Sequence, residues 1–151
     1  MVAWRAELWS NNRVGVLQAD QRALLRVLAG RIVPESAALD EAAQEDCLGL
    51  IDDVLATRPA PMQRQFATFL RVVRWLPVLR YGRPIDRLAP KRQDAALRFF
   101  QHFPVQVVRA GFWGVRTLIL MGFYARPGTA ATIGYRPTTN GNADLHARTP
   151  R

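Results

Sequence analysis

Residues 105–124 read VQVVRAGFWGVRTLILMGFY, and the spacing of their apolar side chains decides the fold. Val105, Val108, Phe112, Val115, Ile119, Gly122 and Phe123 recur at helical intervals and outline one broad face. Trp113, Leu118, Leu120 and Met121 widen it until the helix is apolar most of the way round. Such a helix must be covered on several sides, either by other helices or by a partner. Gly111, Gly114 and Gly122 each cost roughly 1 kcal/mol of helix propensity relative to alanine, so close contact with neighbouring helices is expected at these positions. Arg109 and Arg116 interrupt the stretch, and its longest uncharged part, Thr117 to Ala125, is too short to cross a bilayer.

Outward from this helix the chain reads as further helices separated by proline and glycine. Pro90 opens KRQDAALRFFQHF, since proline is tolerated in a first helical turn, and Phe99, Phe100 and Phe103 are expected in the core. The preceding LRYGRPIDRLAP reads as connection, broken by Gly82, Pro84 and Pro90. From Met62 to Leu79, Phe66, Phe69, Leu70, Val73 and Leu76 make an apolar side and Arg64, Arg71 and Arg74 a basic one, with Pro77 expected to kink or end the helix. Another helix spans Ala38 to Leu55, with a stripe of Leu39, Ala43, Cys47, Leu50, Ile51, Val54 and Leu55. The first, DQRALLRVLAGRIVP, carries Leu24, Leu25, Leu28 and Ile32 on one face; Asp20 is expected to cap it and Pro34 to stop it.

No alternating strand series and no long repeat is present. The expected fold is all-α, a compact bundle of about five helices. Residues 1–16 are expected to form an N-terminal arm, residues 17–137 the helical domain and residues 138–151, which lack apolar periodicity, a flexible tail.

A chain of 151 residues with 49% hydrophobic and 22% charged residues suits one domain with a real core. Its net charge of +9 is unevenly spread. Residues 1–57 hold nine acids and five arginines, whereas residues 58–151 hold sixteen Arg or Lys against Asp86, Asp94 and Asp144. Either acidic helices lie against basic ones, or a basic face meets an acidic protein, an anionic lipid surface or nucleic acid.

The chemistry-bearing residue types return little. The single Cys47 excludes an intrachain disulfide and a thiolate metal cage, and it reads as a small buried or half-buried side chain. His102 and His146 are too far apart for metal-ligand spacing, and His102 reads as a packing or surface residue. Asp52 and Asp53 point about 100° apart on a helix, so solvation or pairing with arginines of another helix is expected rather than paired-acid catalysis. There is no GxGxxG, Walker loop, HExxH or CxxC, and neither Ser10 nor Ser36 lies in a nucleophile elbow. No catalytic, cofactor-binding or metal residue is therefore assigned. No helix-turn-helix, basic-zipper or RNA-binding aromatic motif appears either, so basicity supports only non-specific attraction to nucleic acid. The first twenty residues lack an apolar export signal and a paired arginine, which leads to the expectation of a cytoplasmic protein.

The segments LQADQRALLRVLAGRIVP and PKRQDAALRFFQHFPVQVVRAGFWGVRTLILMGFYARPGTAATIGYRP, in that order over residues 17–137, resemble the gluconate 2-dehydrogenase subunit 3 family. The most specific portion is LMGFYARPGTAATIGYRP at 120–137, an aromatic helix ending, a break and a terminal Ile-Gly-Tyr. Relatives of this kind occur as small subunits of flavoprotein dehydrogenases and as an N-terminal extension of long-chain alcohol oxidases. The resemblance implies a noncatalytic helical subunit that supports the folding, stability or export of a larger oxidoreductase of the glucose-methanol-choline type, with FAD in the partner and no cofactor here. Gly122, Phe123, Tyr124, Ile133, Gly134 and Tyr135 make up the family-like ending. Within it and the helix before it, Phe112, Trp113, Phe123, Tyr124 and Tyr135 are expected to divide between the core and an aromatic seam. Arg109, Arg116, Arg126 and Arg136 are expected to pair with acidic rim groups of the partner. The missing paired-arginine signal departs from many exported members and favours a cytoplasmic or membrane-associated complex. A basic adaptor at an anionic membrane surface is the alternative reading, with a nucleic-acid-associated protein behind it.

Overall fold

Proline, glycine and a few polar side chains punctuate the helices. A computed structural model describes residues 15–126 together with Thr129. Helix α1, Ala19–Ile32, begins at Gln18, whose backbone N–H donates to Gln21 Oε1 at 3.0 Å. This corrects the expectation that Asp20 is the cap. Asp20 lies inside the first turn and its carboxylate sits 3.7 Å from Arg74 Nη1. The helix ends before Pro34, which opens a 3-10 turn over Pro34–Ala38. That turn delays α2, Glu41–Ala56, relative to the expected start at Ala38; its cap is Asp40, whose Oδ1 accepts from the Ala43 N–H at 2.7 Å.

Helix α3, Ala60–Trp75, carries a proline in its first turn. It stops short of the expected Leu79 because Pro77 lacks a backbone donor. A single turn, α4 at Val78–Tyr81, follows and is closed by Gly82 at φ 69°, a left-handed conformation that suits glycine. A 3-10 turn over Ile85–Arg87 leads to α5, Pro90–Gln101, and then α6, Gln106–Tyr124. No strand occurs among the described residues.

Helices α1 and α6 are the two central elements. Each packs against α2, α3 and α5, and they touch one another; the most extensive contact joins α2 and α6. Leu25, Leu28, Leu70, Val73, Phe100 and Val115 are almost completely enclosed where these helices meet. Each such side chain contributes roughly 1.5–3 kcal/mol by leaving water. Ile85 is enclosed as well, although it lies in the connection, and Gln93 Nε2 fixes it by donating to the Ile85 carbonyl at 3.0 Å.

The phenylalanine cluster divides differently from the expectation. Phe100 is buried and Phe103 half-buried, but Phe99 is 53% exposed, because adjacent helical residues point to different sides. Val105 is also exposed; it precedes the first helical residue of α6 and so leaves the apolar face. Of the three glycines, two serve close contact. A Cβ at Gly122 would lie 2.8 Å from the Cys47 carbonyl oxygen, and one at Gly111 would strike the Phe69 ring at 2.6 Å. At Gly114 nothing lies within 4 Å, so the tight packing expected there is absent.

The ion pairs organise α1. Arg22 pairs with Glu45 and, at 2.7 Å, with Asp52, and Arg26 also reaches Glu45. Asp52 is buried and additionally accepts the Leu17 N–H at 2.9 Å, so it pairs with an arginine of another helix instead of being solvated. Arg31 ties α1 to α5 through two hydrogen bonds to Asp94, at 2.8 and 2.7 Å. These bonds hold the Asp94 carboxyl below the usual carboxylate range.

Candidate partner-binding surface

An α-helix advances about 100° per residue, which sorts α6 into three strips. Phe112, Val115, Ile119, Gly122 and Phe123 face inward and are buried. Phe112 stacks on Phe100 with centroids 6.4 Å apart, and the Phe123 ring meets Tyr124 edge-on at 5.0 Å. Of the aromatics expected to divide between core and seam, Phe112 and Phe123 fall to the core, and their rings are used inside this chain.

A second strip holds Trp113, Arg116, Thr117, Leu120 and Tyr124. Trp113 is 46% exposed and Tyr124 44%, so much of each ring is open to solvent. The Arg116 guanidinium lies over the Trp113 ring, 5.0 Å from its centroid, a cation–π geometry that presents cation and ring together. Thr117 Oγ1 donates to the Trp113 carbonyl at 2.8 Å, so that hydroxyl proton is already used within the helix. Beside Arg116 the surface sinks into a recess of 350 Å³ lined also by Arg31, Asp94, Arg98 and Gln101. Three arginines meet one carboxylate there, and Arg31 already takes that carboxylate, so the recess keeps an excess of positive charge.

The remaining arginines have work within the chain. Arg109 Nη1 donates to the Phe103 carbonyl at 2.7 Å and the Pro104 carbonyl at 3.2 Å, which closes the link between α5 and α6. Arg126 Nη1 lies 3.7 Å from Cys47 Sγ and fastens the end of α6 to α2. Ile133, Gly134, Tyr135 and Arg136 lie outside the described residues. Of the expected seam, Trp113 and Arg116 meet, and Tyr124 lies further along the same strip of α6.

The third strip of α6 escaped the sequence reading. Val107, Gly111, Gly114 and Leu118 form one wall of a groove whose other wall is α3, with Met62, Phe66, Phe69 and Val72. Its volume is 740 Å³. The signal was present in the breadth of the apolar face around α6 and in the apolar side of α3, but each had been spent on the core. His102 is exposed at the C-cap of α5. Among the described residues no group of three or more His, Cys, Asp or Glu side chains converges as a metal site. No described helix is long and apolar enough to cross a membrane.

The described residues form an all-helical domain that leaves an aromatic–arginine strip and an apolar groove open among its surface features. Residues 19–141 match the family model described as gluconate 2-dehydrogenase subunit 3, and the chain belongs to that family. Compared with curated proteins and with solved structures, it finds no significant match.

Proposed function

We propose that this protein is the noncatalytic small subunit of a dehydrogenase complex, and that it binds and stabilises a larger FAD-dependent alcohol or sugar dehydrogenase of the glucose-methanol-choline type. The observation that carries the reading is the family match across residues 19–141. The strip of Trp113, Arg116 and Tyr124 supports it, because half-open aromatic rings beside an arginine are the side chains that anchor protein interfaces. Apolar burial of the two rings would hold the partner. Arg116 and Arg98, at the recess with its surplus charge, would orient the partner through acidic groups on its rim. The flavin and the hydride chemistry belong to the partner, and the residues of this chain supply contact and shape.

Co-expression of the full chain with the tagged flavoprotein tests the reading. The expected result is a stoichiometric, flavin-coloured complex that loses its small subunit when Trp113→Ala and Tyr124→Ala are combined. Recovery of a soluble, flavin-loaded dehydrogenase in the same yield without this chain would overturn it. So would salt-sensitive binding of the isolated chain to anionic vesicles with no protein complex formed.

A further inference from the structure

The α3–α6 groove lies on the side of α6 away from Trp113 and Tyr124, so the aromatic strip does not account for it. Its floor and walls are apolar, and several of their side chains remain open: Met62 is 49% exposed, Val72 36% and Val107 77%. Among the described residues no acid lines it, whereas Arg58 and Arg64 do, and neither arginine pairs with an acid there. An apolar trough edged by unpaired cations is complementary to a surface that is apolar along its centre and anionic at its border.

The form of the occupant follows from the walls. Both are helices whose backbone N–H and C=O groups are already bonded along their own axes, so they offer nothing to the backbone of an extended peptide. An extended strand laid against these side chains would lose the hydration of its own amides without replacement, an unfavourable exchange. A helix brings only side chains. Gly114 opens a notch in the α6 wall, with no atom within 4 Å of where a Cβ would stand, and a notch of that kind admits a ridge of a third helix. From Met62 to Val72 the trough runs about 15 Å along α3, roughly three helical turns.

We propose that this groove receives an amphipathic helix of the partner protein, with its apolar stripe against Phe66, Val72, Val107 and Leu118 and its carboxylates toward Arg58 and Arg64. The inference rests on the dehydrogenase reading only for the identity of the partner; the groove itself sets the chemistry of the segment.

The test uses two fluorescent helical peptides with the same leucine stripe, one flanked by glutamates and one by lysines, titrated into the full chain. The wild type is expected to bind the glutamate peptide about tenfold more tightly, the combined effect of two rim charge pairs. Arg58→Glu with Arg64→Glu should remove that preference, whereas Arg83→Glu with Lys91→Glu, the same charge change away from the groove, should leave it. Gly114→Trp should fill the notch and weaken binding about tenfold, a loss equivalent to one well-packed contact, with an unchanged circular-dichroism spectrum and melting curve. Equal binding of both peptides, or binding indifferent to Gly114→Trp, overturns the proposal. A wild-type dimer that Gly114→Trp converts to a monomer also overturns it, since the groove would then hold a second copy. In the co-expressed complex, Gly114→Trp should release the flavoprotein; retention by this variant removes the groove from that interface and overturns the proposal with the dehydrogenase reading intact. If the wild-type chain retains no flavoprotein, the dehydrogenase reading fails and the peptide titration decides this one.

Discussion

Gly114 and Gly122 occupy the same helix and answer different demands. A methyl group at Gly122 would press into the Cys47 carbonyl at 2.8 Å and the Ile51 side chain at 3.0 Å, and a backbone carbonyl cannot swing aside. Gly122→Ala is therefore expected to cost about 1–3 kcal/mol, whereas Gly114→Ala, with open space before it, should stabilise α6 by up to about 1 kcal/mol. Urea unfolding of the two variants measures both, and a loss at Gly114 would contradict the open notch. Asp52 gives a second residue-scale prediction. Its buried carboxylate accepts from the Leu17 N–H and from Arg22, so Asp52→Ala should lose about 1.5–3 kcal/mol, the range for hydrogen bonds to a charged group. The sequence showed that Asp52 was a poor catalytic acid, and it left solvation and helix-to-helix pairing open. Choosing between them needed the position of Arg22, which no local pattern contains.

Among the elements, those bounded by proline were the legible ones. Pro90 opens α5 as read, and Pro34 and Pro77 end the helices before them, because a missing donor acts locally and identically in any fold. The start of α1 was misplaced, since the Gln18 N–H donates to Gln21 Oε1 there, while Asp20, a better cap by residue type, lies inside the first turn. Ile85 was missed because burial in a turn leaves no period to detect. The third strip of α6 was missed because an apolar helix does not say which of its faces a neighbour will cover. Asp40→Ala should cost about 1 kcal/mol by uncapping α2, readable as a lower urea midpoint. The bridge between α1 and α5 sets a pH dependence. Asp94 has a lowered folded-state pKa, so its stabilisation is complete above the ordinary unfolded value of about 3.9 and disappears as pH falls through the lower folded value. Because the pair is partly solvated, Asp94→Asn should cost no more than about 1 kcal/mol at pH 7. Once pH has fallen below that folded-state value, where the wild-type carboxyl is protonated too, the two unfolding midpoints should converge; a gap that persists there would assign the loss to packing.

For the whole molecule, the uneven charge has a partial internal answer. Among the described residues, Glu45 and Asp52 of α2 pair with arginines of α1, and Arg31–Asp94 and Arg74–Asp20 join the acidic first part of the chain to the basic remainder. Part of the surplus of cations beyond residue 57 faces outward, as Arg58 and Arg64 do at the groove. That balance of +9 could be read from composition, but which cations stay unpaired could not. Trp113→Ala with Tyr124→Ala should leave the isolated chain folded, its melting temperature lowered by a few degrees at most, because both rings are already half in water. A cooperative fold retained without partner binding would separate contact from stability. The unpaired arginines around the trough also bear on colloidal behaviour. At low ionic strength they should keep copies of the chain apart, and as salt shortens the Debye length the sticky trough should begin to govern. The second virial coefficient from light scattering should then fall from positive toward negative, so this is a protein to purify in dilute buffer and to concentrate only with its companion present.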